Sequence, residues 1–185
     1  GQGSLLSEAM YGFRYIFARP SLLGLQLVFF FGNVCSGIFF TLVAPMVLAR
    51  TNNSEITLAS VQSIGAVGAI VGGLVLAAWG GFKKRTHGVL FGHILAGLFC
   101  IPMGLYFGLP VWLMSSFLTA FLIPTINGSN QAIWQSKVAP DVQGRVFAIR
   151  SMIAQSMMPI AFLLAGPLAD RVFEPLMQTG GALAA

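Results

Sequence analysis

The positions of the charged residues constrain this chain most, because they leave long stretches without any charge. Four such stretches are residues 20–49, 56–82, 86–136 and 151–169. The hydrocarbon core of a bilayer is about 30 Å thick, and roughly 20 apolar residues of helix cross it. The first, second and fourth stretches each have room for one crossing. The sequence therefore predicts an all-α membrane protein.

The third stretch is about twice as long as one crossing requires. Near its middle, Phe107, Gly108, Leu109 and Pro110 form a sequence typical of a tight turn. We therefore expect a hairpin of two spans there, and five transmembrane helices in all. The expected spans are residues 21–48, 58–79, 89–107 and 111–134, followed by a fifth that begins after 140–141 and ends near 166–167.

The basic residues predict the orientation of these spans. Eight of them fall on one side of the expected topology and two on the other, which is a strong positive-inside bias. The cytoplasmic set is Arg14, Arg19, Lys83, Lys84, Arg85, Lys137, Arg145 and Arg150, and the external set is Arg50 and Arg171. We expect a cytoplasmic N-terminus and an external C-terminal tail.

Composition excludes several other classes of protein. Charged residues are only 8% of the chain, against about 25% in ordinary soluble domains. The net charge of +5 does not indicate a nucleic-acid partner, because the basic residues lie mostly on one membrane face; the expected partner is the lipid bilayer. Cys35 and Cys100 lie inside separate spans, and no catalytic or metal-binding spacing is present. We expect no enzyme activity, no metal and no cofactor.

The N-terminal segment has an amphipathic pattern. Leu6, Met10, Phe13 and Phe17 recur at helical spacing, and proline at position 20 ends the pattern. We expect a cytoplasmic linker helix in residues 1–19, lying at the membrane surface. The five-span membrane domain is then residues 20–171, and residues 172–185 are an external loop leading to a missing span.

Small residues follow two neighbouring strips of the second span. They allow another helix to approach closely, which is how membrane helices pack without help from water. The expected packing residues are Gly65, Gly68, Gly72 and Gly73. Three tryptophans near span ends, Trp79, Trp112 and Trp134, are expected to form aromatic belts at the membrane interfaces.

Polar side chains inside a span tend to face a bundle interior or a cavity. In the first span, Gln26, Asn33 and Ser36 have spacings compatible with one helical face. Weaker candidates of the same kind end the fourth span: Asn127, Asn130 and Gln131. The alternative is that these groups make hydrogen bonds between helices.

Three segments together resemble a known family. Residues 79–85 read WGGFKKR, residues 128–147 read GSNQAIWQSKVAPDVQGRVF, and residues 165–175 read AGPLADRVFEP. They resemble the C-terminal half of major facilitator superfamily transporters, in the branch of the macrolide-efflux and enterobactin-exporter proteins. The resemblance implies twelve spans in two six-helix halves, with the five spans here matching the seventh to the eleventh. The chain would then be a fragment that lacks the N-terminal half and the final span.

The resemblance also implies a function. Such proteins are secondary active exporters that work by alternating access, usually as proton antiporters, in the plasma membrane or bacterial inner membrane. The implied substrate is a hydrophobic drug, a macrolide-like molecule or a siderophore-like product, and the implied phenotype is multidrug or macrolide resistance. Because the seventh span of the family lines the central cavity, Asn33 is the leading contact, with Gln26 nearer the cytoplasm.

Two cytoplasmic loops carry candidate gate residues. In the first, Lys83, Lys84 and Arg85 occupy the family's loop motif, but Lys84 stands near the place of the motif's acidic residue, which favours topology anchoring over a gate. In the second, Asp141 and Arg145 lie four residues apart at a helix start, where they can pair or cap the helix.

Two other classes of function stay open. A permease subunit of an ATP-driven transporter would need a docking segment for a nucleotide-binding partner, which these short basic loops do not resemble. A membrane scaffold protein without transport activity would need only five packed spans.

Overall fold

The computed structural model describes residues 5–105 and 108–174. These residues form seven α-helices and a closing turn of π-helix, and the part of the chain described contains no strand. The elements are α1 (Leu5–Phe17), α2 (Pro20–Arg50), α3 (Glu55–Trp79), α4 (Arg85–Gly104), α5 (Leu109–Lys137), α6 (Gln143–Gln155), α7 (Met157–Leu168) and the π-helix (Ala169–Phe173).

Five helical segments are long and apolar enough to cross a membrane: α2, α3, α4, α5, and the segment Gln143–Arg171 that contains α6 and α7. The prediction of an all-α, multi-pass membrane protein with five spans and a preceding helix is confirmed. The domain boundaries proposed above stay a prediction, and positions 175–185 of the expected external loop lie outside the described residues.

The ends of the helices follow from local chemistry. Ser54 caps α3, because its side chain accepts a hydrogen bond from the Thr57 amide, a common way to satisfy the first turn of a helix. At the other end of α3, Gly80 adopts a left-handed conformation with φ of 78°, which glycine permits at little cost. Gly108, with φ of 92°, and Pro110 begin α5, where the sequence predicted the hairpin turn.

The chain divides into two compact units, and the first to consider is Val47–Asp141. Within it, α5 packs along both α3 and α4. On α3 a Cβ atom added at Gly72 would lie 2.8 Å from the carbonyl carbon of Phe121, and one added at Gly68 would lie 3.0 Å from that of Phe117. The two backbones are therefore almost in contact. On α4, a Cβ at Gly92 would meet the Ile126 side chain of α5.

Large apolar side chains point away from these contacts. In α3 and α4 the residues opposite the glycines are exposed to the surroundings of the chain, as expected for helices that face lipid. They include Val67, Ile70, Leu74, Leu90, Ile94 and Leu98. Small residues toward the neighbouring helix and large apolar residues toward the outside are the arrangement typical of a membrane bundle.

The second unit combines the described parts of Gly1–Met46 and Val142–Ala185. Here α1 packs on α6, and a Cβ at Gly12 would lie 2.6 Å from Cγ1 of Ile149. Met10 and Phe17, two residues of the predicted apolar stripe, are 59% and 61% exposed, whereas Ile16 is fully buried. The face of α1 that packs on α6 is therefore next to the predicted apolar stripe and not the stripe itself. Met10 and Phe17 of the stripe stay exposed and can contact a membrane surface.

The fifth span is interrupted at Ser156, between α6 and α7. Pro159 explains the position of this break: it has no amide hydrogen for the Gln155 carbonyl, and its ring crowds that same carbonyl. At the break, the Ser156 hydroxyl donates to the Ile153 carbonyl, 2.8 Å away. Beyond the break, α7 approaches α2, where a Cβ at Gly37 would lie 2.6 Å from that of Ala161.

The prediction of aromatic belts is wrong for two of the three tryptophans. Trp112 and Trp134 are each only 1% exposed, whereas Trp79 is 54% exposed. A position near a span end does not fix which way round the helix a side chain points, and α5 directs both of its indoles inward.

Candidate functional site

The polar residues of the first span differ in burial. Gln26 is 6% exposed, Asn33 is half-buried and Ser36 is exposed. Gly37 follows Asn33 by one helical turn, so both lie on the face that approaches α7 at Ala161. Asn33 therefore lies one turn from a close helix contact, on the same face as Gln26.

The polar residues of α5 also differ. Asn127 is exposed and Gln131 is half-buried, whereas Asn130 is only 3% exposed. Its Oδ1 atom is buried and has no hydrogen-bond partner among the described residues. An unsatisfied buried polar group costs about 1–3 kcal/mol, which makes the Asn130 oxygen a candidate for contact with a ligand or water.

Sequence reasoning missed the neighbouring Ser129. This side chain is 1% exposed, and its Oγ also has no hydrogen-bond partner within the described part of the chain. It lies against Gly88 of α4, where any Cβ would collide with the hydroxyl. The signal was present in the sequence, since Gly88, Gly92 and Ala96 recur every four residues.

The predicted packing glycines divide into two groups. Gly65, Gly68 and Gly72 all face α5; a Cβ at Gly65 would lie 2.7 Å from the Ser116 Oγ. That hydroxyl donates a hydrogen bond of 2.8 Å to the Val61 carbonyl, which ties α5 to α3. Gly73 is not part of this contact, because a Cβ there would have no neighbour within 4 Å.

The loop between α3 and α4 contains three basic residues with different roles. Lys83 and Lys84 are exposed. The Arg85 guanidinium instead donates a 2.9 Å hydrogen bond to the Gly80 carbonyl, so it closes the turn at the end of α3. Arg85 therefore has a structural role in this loop, whereas Lys83 and Lys84 point outward.

The other predicted loop pair consists of one residue before α6 and one in its first turn. Asp141 and Arg145 are both exposed, and the Arg145 guanidinium carbon lies 6.0 Å from the centre of the Tyr11 ring. This places Arg145 beside the linker helix α1. A gating role for Asp141 and Arg145 stays a prediction.

One contact at the C-terminal ends of α2 and α4 was not predicted. The Arg50 guanidinium at the end of α2 donates a 2.9 Å hydrogen bond to the Gly104 carbonyl at the end of α4. A cation is favourable at a helix C-terminus, where carbonyl groups have no helical partner. Within the unit Val47–Asp141, this hydrogen bond joins the last residue of α2 to the end of α4. The described residues bring together no group of three or more His, Cys, Asp or Glu side chains that could hold a metal ion.

Comparison with known proteins gives four significant relatives. Macrolide efflux protein A of Streptococcus pyogenes is 28% identical over 109 residues, which is 58% of this chain and 27% of the relative. Macrolide efflux protein A of Enterococcus faecalis is 29% identical over 97 residues, or 51% and 30%. YvqJ, an uncharacterised MFS-type transporter of Bacillus subtilis, is 25% identical over 171 residues, or 91% and 40%.

The chain thus spans between 27% and 40% of the length of these curated relatives. No protein-family model and no solved structure matches it. The similarity agrees with the five apolar helices, since both indicate a multi-pass membrane protein. The chain is therefore similar, over most of its length, to transporters of the major facilitator superfamily, and the predicted resemblance to their macrolide-efflux branch is confirmed.

Proposed function

We propose that this chain forms five spans of a secondary active exporter that moves a hydrophobic, macrolide-like small molecule by alternating access. The observation that carries the proposal is the similarity of 91% of the chain to an MFS-type transporter, together with two relatives named for macrolide efflux. Transport of this kind involves no covalent chemistry, so the proposed role is not enzymatic. The N-terminus is proposed to be cytoplasmic, in the plasma membrane.

The packing of α3, α4 and α5 supports a rocking mechanism. Alternating access requires groups of helices that move as units around a central site. Backbone-close contacts at Gly68, Gly72 and Gly92 join these three helices with little side chain between them, which favours their movement as one unit. The first and fourth spans would then contribute polar groups to the path of the substrate.

Within that path we assign Asn33 the leading role, with Gln26 as a second contact. Asn33 is half-buried on the face of α2 that contacts α7 at Gly37. Its side chain is therefore close to packed protein and still accessible to a ligand. Asn130 joins them as a candidate because its carbonyl oxygen is buried without a partner, which leaves it free to bind substrate or water. Ser36, Asn127 and Gln131 are secondary candidates.

A proton gradient is the proposed driving force. The four charge-free stretches contain no Asp or Glu, so we place the coupling carboxylate outside them, in the parts of the transporter that pair with these helices. The energy source distinguishes this proposal from an ATP-driven permease. A protonophore, which dissipates the proton gradient, should stop export even when the ATP concentration stays high. Export that continues under the protonophore and stops on ATP depletion would favour the ATP-driven alternative.

The site is tested with Asn33→Ala in a complete transporter that contains this chain, expressed in a drug-sensitive bacterium. Loss of one substrate hydrogen bond, about 0.5–1.5 kcal/mol, should change the apparent affinity for a macrolide about 2- to 10-fold. Ser60→Ala is the matched control, because it removes a hydroxyl that is no candidate contact and that donates to the Ile56 carbonyl of its own helix, 2.8 Å away. If Asn33→Ala changes only the amount of protein in the membrane, the residue is structural and the assignment fails.

A further inference from the structure

One face of α2 is buried toward both ends of the helix and open near its middle. Residues spaced by one or two helical turns share this face: Leu22, Gln26, Asn33, Phe40 and Val47. Leu22 and Val47 are fully buried and Gln26 is 6% exposed, whereas Phe40 is 58% exposed and Asn33 is half-buried. The middle of this face is therefore accessible to a molecule from outside the described chain.

The open part of the face contains two polar side chains. Ser36, which is exposed, follows Asn33 by three residues, and neither side chain makes a hydrogen bond with another described residue. The neighbouring Thr41 hydroxyl instead donates to the Gly37 carbonyl of its own helix at 2.7 Å, which satisfies a hydroxyl without any partner outside the helix. Polar groups in a span are costly toward lipid and face a protein interior or a cavity. The open part therefore does not face acyl chains.

Packed protein borders the open part on one side. Gly37 is buried, and a Cβ added there would lie 2.6 Å from that of Ala161 in α7. The described parts of α2 up to Met46 and of α7 belong to the same compact unit. Asn33 and Phe40 are thus beside a close helix contact, as expected for residues that line a cavity rather than the outer surface of a bundle.

Another phenylalanine of α2 shows what a lipid-facing ring looks like. Phe31 is 62% exposed, about as much as Phe40, and each ring makes an edge-to-face contact with the preceding phenylalanine, at 5.3 and 5.5 Å respectively. The two residues are nine positions apart, which places them on opposite faces of a helix. Leu27 and Val28, on the side of Phe31, are apolar and exposed. Phe31 therefore faces lipid, whereas Phe40 shares its face with Asn33.

We propose that Phe40 contacts the transported substrate, with its ring against an apolar part of the molecule and with Asn33 and Ser36 at a hydrogen-bonding group. This inference rests on the proposed function and adds an apolar contact to that site. The residues from Asn33 to Phe40 extend about 10 Å along the helix. The substrate class that suits them is an amphiphile with an apolar surface of that length beside hydroxyl or amino groups. A macrolide, which combines a largely apolar ring with hydroxyl groups and sugars, belongs to this class.

The test is export of labelled erythromycin by a complete transporter that contains this chain, measured as uptake into inside-out membrane vesicles. Phe40→Ala should raise the apparent KM about 4- to 20-fold, because the exposed part of the ring no longer covers the substrate. The maximal rate per amount of protein should stay the same, as for the loss of a binding contact. Phe31→Ala is the matched control and should keep the parent KM, since it removes an equally exposed ring from the opposite face.

A second measurement separates contact from folding. In a transporter without native cysteines, saturating erythromycin should slow the reaction of Phe40→Cys with N-ethylmaleimide and leave that of Phe31→Cys unchanged. If the parent exports erythromycin but the two alanine variants have equal KM values, or if erythromycin does not protect Phe40→Cys, the role of Phe40 is overturned and the proposed function stands. A parent protein that exports no erythromycin would refute the proposed function, and this inference with it.

Discussion

The contact between α3 and α5 makes a sharp prediction about neighbouring glycines. Gly72 faces Phe121, and Gly73 faces open space, although the two residues are adjacent in sequence. At Gly72 a new Cβ would lie 2.8 Å from the Phe121 carbonyl carbon and 3.0 Å from its Cα. These atoms are backbone and cannot rotate away. Gly72→Ala must therefore move the helices apart, and Gly73→Ala need move nothing.

The size of the effect follows from the geometry. A separation of roughly 0.5–1 Å removes about a quarter to a half of the dispersion energy of each atom pair along the contact, and overpacking of this kind costs about 1–3 kcal/mol. Alanine favours a helix over glycine by up to about 1 kcal/mol, and both variants share that gain. The difference between the two variants should therefore be about 1–3 kcal/mol, with Gly73→Ala the more stable.

The assay is thermal unfolding in detergent, followed by circular dichroism at equal protein concentration. For a chain of this size, 1 kcal/mol corresponds to about 2–4 °C in Tm, so Gly72→Ala should unfold about 2–12 °C below Gly73→Ala. Insertion into the membrane should be equal for both. If Gly72→Ala unfolds at the same temperature as Gly73→Ala or above it, the close contact between the backbones is refuted.

Two further predictions concern topology and the buried amide of α5. Ile56→Cys, at a side chain that is 82% exposed, should react with an impermeant thiol reagent added outside cells, and Thr86→Cys should not; equal labelling would contradict the proposed orientation. Asn130→Leu removes a buried oxygen without a partner, so it should raise the apparent melting temperature by an amount corresponding to about 1–3 kcal/mol while transport falls. A lower melting temperature would show that the amide is bonded in the folded protein.

The number and position of the helices could be predicted from the sequence because both depend on simple quantities. Span length is set by the thickness of the bilayer, and the charged residues mark where spans end. The turn at Gly108 and Pro110 combines a residue that permits positive φ with one that begins a helix, so the hairpin was also visible. These signals are local and need no knowledge of neighbouring helices.

The faces that pack could be predicted only in part. Two rows of glycine on α3 both permit close approach, but Gly65, Gly68 and Gly72 meet α5 whereas Gly73 does not. Nothing within α3 decides which glycines make the contact, since the choice depends on where the partner helix lies. The same reason explains Trp112 and Trp134: hydropathy places them near span ends, but packing buries them.

The candidate site was predicted as a set of polar residues without a reliable order among them. Spacing placed Asn33 on one face with Gln26 and Ser36, and the family resemblance made it the leading contact, whereas a position near a span end made Asn130 the weaker candidate. The structure gives Asn130 a stronger physical signature, a buried oxygen without a partner in the described chain. The sequence does not show whether a buried asparagine side chain has a hydrogen-bond partner, so only the packed structure reveals this difference.

The break in the fifth span allows its two halves to hold different helices, and this leads to a last prediction. On one side Ile149 of α6 packs against Gly12 of α1; on the other, Ala161 of α7 packs against Gly37 of α2. Pro159→Ala restores the missing amide donor and removes the crowding at Gln155, which together favour a continuous helix by about 3 kcal/mol. A straight helix would redirect α6 relative to α7, so one of the two contacts should weaken.

The α1–α6 contact reports this change directly. A Cβ at Gly12 would lie 3.1 Å from that of Ile149, a few tenths of an ångström below the range of about 3.5–4.5 Å for a disulfide, so a small separation of the two helices brings the pair into range. In a protein without its native cysteines, Gly12→Cys with Ile149→Cys should therefore cross-link readily on oxidation, and adding Pro159→Ala should slow this cross-linking. Pro110→Ala is the control, because Pro110 occupies the first turn of α5, where no helical hydrogen bond is missing. Equal cross-linking rates in the Pro159→Ala and parent backgrounds would mean that the break does not determine how α1 is held.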